Sequence, residues 1–121
     1  MRQIVKRAVI AALAAIPVMA ALPAATATAA PLPINRVSCN RDDFLWVYAH
    51  QRGPQFIHCY ANGGTAHYPG GTWLDRIWTG NNRVQWFGDG RWQPATPIGK
   101  NTDFRFPNHP GGVRMEAIRI V

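Results

Sequence analysis

Beyond Ala29 the 121-residue sequence holds one lysine (Lys100), one glutamate (Glu116) and one methionine (Met115). No window there repeats apolar residues at helical spacing for three turns. With neither that periodicity nor the Lys/Glu-rich surface of a solvated helix, helical bundles and coiled coils are excluded. A nucleotide-binding α/β architecture is excluded by length as well. The four histidines (His50, His58, His67, His109) form no His-x-His or His-Glu-x-x-His pair, and Cys39 and Cys59 have no further ligand at a zinc-type spacing. No metal or other cofactor is therefore expected. The clustered basic runs and recognised modules of a dedicated nucleic-acid binder are missing too. The longest apolar run, Ala8 to Ala21, is interrupted by Pro17 and falls short of the about 20 residues a spanning helix needs.

That run does fit a targeting segment. Arg2, Lys6 and Arg7 precede it, and Ala25-Thr26-Ala27 and Ala27-Thr28-Ala29 follow it with the small-x-small pattern of a cleavage site. Residues 1–29 therefore read as a signal peptide of a secreted protein and residues 30–121 as a single domain. Removing 29 residues leaves 92, with ten cations against six anions, a net charge of +4. Nine of the ten cations are arginine. Outside the cytoplasm two cysteines predict a disulfide, Cys39–Cys59. Closing a loop of about 20 residues is worth roughly 3 kcal/mol in the chain-entropy model.

Five Trp, three Tyr and five Phe occupy what remains, in short segments between Gly, Pro, Asn and Asp clusters. After the Pro-rich stretch Ala30 to Asn35, strands are predicted at Phe44–Ala49, Phe56–Tyr60, Thr65–Tyr68, Trp73–Trp78, Arg83–Phe87, Arg91–Trp92, Thr102–Phe106 and Met115–Val121. Gly88-Asp89-Gly90 is a tight hairpin signal. About eight strands at this spacing indicate a two-sheet all-β sandwich, divided near Asn81-Asn82 into halves that cannot bury their faces alone.

Three segments then carry a resemblance: Cys59-Tyr60-Ala61-Asn62-Gly63-Gly64; Ile77-x-Thr79-Gly80-Asn81-Asn82-x-Val84; and Val113 followed by Ile118-x-Ile120. In these and in their order the chain resembles small secreted proteins of the βγ-crystallin-like superfamily, most of all the Streptomyces killer toxin-like group. The resemblance implies a β-sandwich of two Greek-key motifs and a secreted antimicrobial or cytotoxic activity, and it supplies no catalytic residues. Asn81-Asn82 is followed by Arg83-Val84-Gln85-Trp86, and Asp42-Asp43 by Phe44-Leu45-Trp46-Val47. Neither carries the hydroxyl pair of the superfamily's calcium pattern, so weak or no calcium binding is expected.

Arginines lie beside aromatics at Arg76-x-Trp78, Arg83-x-x-Trp86, Arg91-Trp92 and Phe104-Arg105-Phe106, a combination suited to an anionic or amphiphilic target. Arg91, Trp92, Arg76 and Arg105 are the candidate binding residues, with Trp92 the exposed recognition aromatic and Trp46 and Trp86 in the core. The expected function is a monomeric, non-enzymatic antimicrobial protein that binds a wall or membrane component on competing microbial cells. One alternative is an inhibitor of extracellular proteases, metalloproteases among them, acting through a loop at Pro94 to Lys100 or Pro107 to Gly112. A lesser alternative is a small ribonuclease built on Glu116 with His109, Arg114 and Arg119.

Overall fold

The structure, a computed structural model, describes residues Ile34–Val121, so the leader read over residues 1–29 lies outside the described residues. Ten strands follow one another: β1 (Asn35–Val37), β2 (Leu45–His50), β3 (Phe56–Ala61), β4 (Gly64–His67), β5 (Trp73–Trp78), β6 (Val84–Gly88), β7 (Arg91–Ile98), β8 (Asp103–Arg105), β9 (Val113–Arg114) and β10 (Ala117–Ile120). They build two antiparallel sheets. The first has the order β1-β3-β2-β5-β8, with β9 also paired to β5, and the second the order β4-β10-β6-β7.

This order shows how the two Greek keys interlock. Strands β2, β3 and β5 keep to the first sheet while the third strand of that key, β4, crosses to the second. The other key mirrors it: β6, β7 and β10 keep to the second sheet and β8 crosses to the first. Each sheet therefore contains the same series, β3-β2-β5-β8 and β7-β6-β10-β4. The two halves expected on either side of Asn81-Asn82 are each completed by a strand of the other. The eight expected strands are all present; β1 and β9 are short additions that Pro-rich or Gly-rich surroundings concealed.

Turn chemistry sets the registers. Between β6 and β7, Asp89 (φ 53°) and Gly90 (φ 81°) supply the two positive φ angles of a type I′ turn. Strand β7 runs through Pro94 and Pro97 to Ile98. Proline is tolerated there because β7 is the edge of its sheet, where one side of the strand needs no donor. Gln93 pairs with Trp86 and Ile98 with Val84, so residues 94–97, within the stretch Pro94 to Lys100 read as an inhibitory loop, bulge out of the ladder.

The core lies between the sheets. Leu45, Val47 and Ala49 of β2, with Leu74 and Ile77 of β5, face Val84, Trp86, Ile118 and Ile120 of the second sheet. All nine are buried. Trp86 packs edge-on against Phe106 at 5.2 Å and tilted against Phe104 at 5.8 Å, so its assignment to the core holds. Trp46 differs. Its neighbours Leu45 and Val47 take the inward positions, and alternation along the strand turns the indole to the outer face.

A cluster of three polar rings enters this interior. Tyr60 and Tyr68 hydrogen-bond through their hydroxyls, and His58 Nδ1 lies 3.3 Å from the Tyr68 hydroxyl. Burial, assisted by nearby Arg36, holds His58 below its usual 6.5. Burial likewise raises both tyrosines.

Two expectations follow from the fold. Replacing both Cys39 and Cys59 by Ala, whose disulfide spans 20 residues, is expected to lower unfolding free energy by about 3 kcal/mol; a loss well under 1 kcal/mol in urea denaturation contradicts this. As pH falls through 6.5, the unfolded chain takes up a proton at His58 that the folded chain resists, so stability falls. Thermal melts between about pH 7 and pH 5 are expected to show that decline and to show it flattened in His58→Gln.

Candidate functional site

The outward residues of the first sheet form a grid that follows from its registers. On β2 they are Trp46, Tyr48 and His50; opposite them on β5 stand Trp78, Arg76 and Trp73. Beyond β5, Asp103 pairs with Trp78, Arg105 with Arg76, and Arg114 with Trp73. Alternate residues along a strand are about 6.6 Å apart and neighbouring strands about 4.8 Å apart, so the grid covers roughly 13 by 10 Å. Aromatic and charged side chains alternate across it. Trp46 and Tyr48 stack with ring centres 6.4 Å apart, Arg76 lies over Tyr48 at 4.6 Å, and Arg114 over Trp73 at 5.4 Å. Stacked guanidinium groups keep their donors free at the edges.

The indoles at one end are held by the segment that precedes β2. Trp46 Nε1–H donates to the Arg41 carbonyl (2.9 Å) and Trp78 Nε1–H to the Asp42 carbonyl (2.7 Å). This strap is fastened at both ends. The disulfide joins its start, Cys39, to Cys59 of β3. At its other end the Asp43 carbonyl accepts from the Asn81 backbone N–H (3.0 Å) and from Asn82 Nδ2 (3.1 Å). Gly80 (φ 60°) permits the approach, because a Cβ there would strike the carbonyl oxygens of Phe44 and Asp43. Thr79 and Gly80 extend the same hub to the turn before β8: Thr79 Oγ1 donates to Gly99 (2.8 Å), and the Gly80 carbonyl accepts from Asn101 (2.7 Å). Thus Thr79-Gly80-Asn81-Asn82 acts as a fastener, Asn81 through its backbone N–H and Asn82 through its side-chain amide.

Two of the three arginines on the grid are matched locally, while Arg114 lies over Trp73. Asp103 accepts from Arg76 Nε (2.8 Å) and Nη2 (3.2 Å) and from Arg105 Nε (3.2 Å). The Arg76 hydrogen bonds, with help from Arg105, hold its carboxyl below the usual range. His50 Nδ1 and Gln55 Nε2 meet Asp75 at 2.8 and 3.1 Å. Arg41 forms a two-point pair with Asp43 on the strap. A cleft of about 300 Å³ adjoins the grid, with Asp75, Arg105 and the loop from Phe106 to Gly112 as its walls.

The structure thus unites two of the candidate residues and separates the others. Arg76 and Arg105 are cross-strand neighbours sharing one carboxylate. Arg91 and Trp92 belong to β7, in the second sheet. Trp92 is half-buried, as are Trp46, Tyr48, Trp73 and Trp78: Arg119 lies over its ring at 4.0 Å and Phe87 packs edge-on at 5.3 Å. Arg119 in turn donates to Gln85 Oε1 (2.8 Å). The ribonuclease candidates fall into two groups, Glu116 and Arg119 beside Trp92 and Arg114 and His109 on the side of the first sheet. Glu116 lines a notch with His67 and Trp92, Arg119 covers Trp92, Arg114 covers Trp73, and His109 lines the cleft beside Arg105. Sequence reasoning missed Tyr48, Trp73 and Trp78 as surface groups. The signal was their alternation with Leu45, Val47, Leu74 and Ile77, masked because both phases of these strands are apolar or aromatic.

No protein-family model matches the sequence, and no curated protein matches it. Among solved structures the chain is similar to the killer toxin-like protein SKLP, determined by NMR. Identity is 30%, the match covers 66% of this chain and 89% of that chain, and the TM-score is 0.53.

Because Asn82 Nδ2 bonds both Asp43 and Thr79, Asn82→Ala is expected to cost about 1–2 kcal/mol. It should also quicken hydrogen exchange at the indole N–H groups of Trp46 and Trp78. Unchanged exchange at both indoles would show that the strap does not depend on Asn82.

Proposed function

Since the chain belongs to the killer toxin-like group of the βγ-crystallin-like superfamily, we propose that it is a secreted, non-enzymatic antimicrobial protein that binds a target on competing microbial cells through the outer face of its first sheet. The observation that carries this reading is the grid itself: three indoles and a phenol, half-buried and interleaved with arginine on one sheet face, with two of the indoles oriented by hydrogen bonds to the strap. Aromatic and arginine side chains held rigid before contact are the groups that dominate recognition surfaces. The disulfide and the leader-like first 29 residues support secretion.

A second reading, inhibition of an extracellular protease, is favoured by the exposed loop from Pro107 to Gly112. Two successive turns brace it, His109 N–H to Phe106 (2.9 Å) and Gly112 N–H to His109 (2.8 Å).

Purified protein applied to fungal and bacterial cells is expected to bind and to slow growth at about micromolar concentration. The pair Arg76→Ala, Arg105→Ala should weaken binding about tenfold or more, whereas Arg91→Ala, in the other sheet, should leave it unchanged. Absence of both binding and growth effect contradicts the proposal. Stoichiometric inhibition of a secreted protease without cell binding would favour the second reading.

A further inference from the structure

We infer that the notch on the outer face of the second sheet is a binding site for a quaternary ammonium group, carried by a small solute or by a lipid headgroup. The site lies on the sheet opposite the face proposed to meet cells and does not depend on that reading. Its geometry follows from the registers. Ile118 and Ile120 point into the core, so Ala117 and Arg119 point outward. Trp92 of β7, Phe87 of β6, Ala117 of β10 and His67 of β4 are successive cross-strand partners and form one row across the sheet. Phe87 and His67 stand two strand spacings apart, roughly 10 Å, and the methyl group of Ala117 between them is too small to fill the gap. The result is a notch of about 290 Å³, with Trp92, Phe87 and His67 as walls, Ala117 as floor and Glu116 at the rim.

Charge and hydration select the ligand. Glu116 is the one carboxylate at the notch, and no lysine or arginine lines it. The backbone fixes its position: the Glu116 N–H donates to the Phe87 carbonyl (2.8 Å), and the Glu116 carbonyl accepts from the Tyr68 N–H (2.9 Å). Among the described residues its side chain enters no salt bridge. Arg119 lies over Trp92 and is held there by Gln85 Oε1, so the notch meets the part of the ring that this guanidinium leaves uncovered. A cation entering it finds a free carboxylate and aromatic walls of the kind that attract positive charge. A primary ammonium also brings three N–H donors, for which the notch supplies few acceptors beyond Glu116. A quaternary ammonium has no donors to satisfy and gives up only weakly held water, so aromatic walls with a single carboxylate match it better.

The test is NMR titration of ¹⁵N-labelled protein with choline chloride, following the Trp92 indole N–H and the Ala117 amide, with sodium chloride as the ionic-strength control. Saturable shifts at both are expected, with half-saturation at about 1–10 mM. Dimethylbutanol, the uncharged carbon isostere of choline, and butylammonium, a primary amine, should each bind about tenfold more weakly. Glu116→Gln, a change at an exposed side chain, should weaken choline about tenfold, and Arg76→Ala in the other sheet should leave it unchanged. Cosedimentation with phosphatidylcholine vesicles separates the two sources: retention that Glu116→Gln abolishes assigns the group to a lipid headgroup, and choline binding without retention assigns it to a free solute. Absence of shifts at about 100 mM choline overturns the inference. Equal affinity for dimethylbutanol, or undiminished choline affinity in Glu116→Gln, overturns it as well, because the notch would then be merely apolar. Tighter binding of butylammonium than of choline overturns the quaternary class in favour of a primary amine.

Discussion

The proposed recognition face depends on one constraint, the fastening of the strap from Cys39 to Phe44 across the end of the first sheet. The strap gives Trp46 and Trp78 a fixed carbonyl each, and an indole with its N–H satisfied is held in one orientation. It is tied covalently to β3 through Cys59 and by hydrogen bonds to the turn at Asn81-Asn82. A domain this small buries a modest share of its surface, so a crosslink that also sets side-chain orientation serves stability and function together. The carbonyl of Asp43 is the focal atom, since backbone and side-chain donors from two successive asparagines converge on it.

The exchange of third strands between the two Greek keys explains why the two outer faces differ. Each sheet has the same internal order, yet their outward residues have diverged. On the second sheet Arg119 reaches Gln85 and covers Trp92, and Gln85 reaches back to the Pro94 carbonyl. Those groups satisfy one another and leave a small notch. On the first sheet Asp103 pairs with Arg76 across the strands and with Arg105 along its own, and the aromatic rings beside them form the proposed binding surface. β8, which brings Arg105 and Asp103 to that surface, comes from the second key, so the face is composite and requires both halves.

Much of the fold was legible in the sequence, because period-two alternation and turn chemistry are local. The type I′ turn at Asp89-Gly90 and the inward pair Ile118 and Ile120 followed directly from residue types. The face was harder to read. In β2 both alternating series, Leu45-Val47-Ala49 and Trp46-Tyr48, are composed of core-type residues, so hydrophobicity alone cannot choose the phase; burial of the aliphatic series decides it. The surroundings of Trp92 were hidden for a related reason. Proximity to a hairpin tip suggests display, but a cross-strand arginine 27 residues later in the chain covers the ring. Pro94 and Pro97 suggest a loop until the edge position of β7 is known. The motif around Gly80-Asn81-Asn82 was visible as a likeness, while its work as a fastener needed the partner carbonyl at Asp43, remote in sequence.

The central claim is that the strap-held grid on the first sheet is where this protein meets its target. The most direct measurement is NMR of uniformly ¹⁵N-labelled protein titrated with soluble fragments released from microbial cell envelopes, following the indole N–H signals. The account predicts concerted shifts at Trp46, Trp73 and Trp78 and at the backbone of β2, β5 and β8, with Trp86 and Trp92 unmoved. Shifts centred on Trp92 and the second sheet would contradict it.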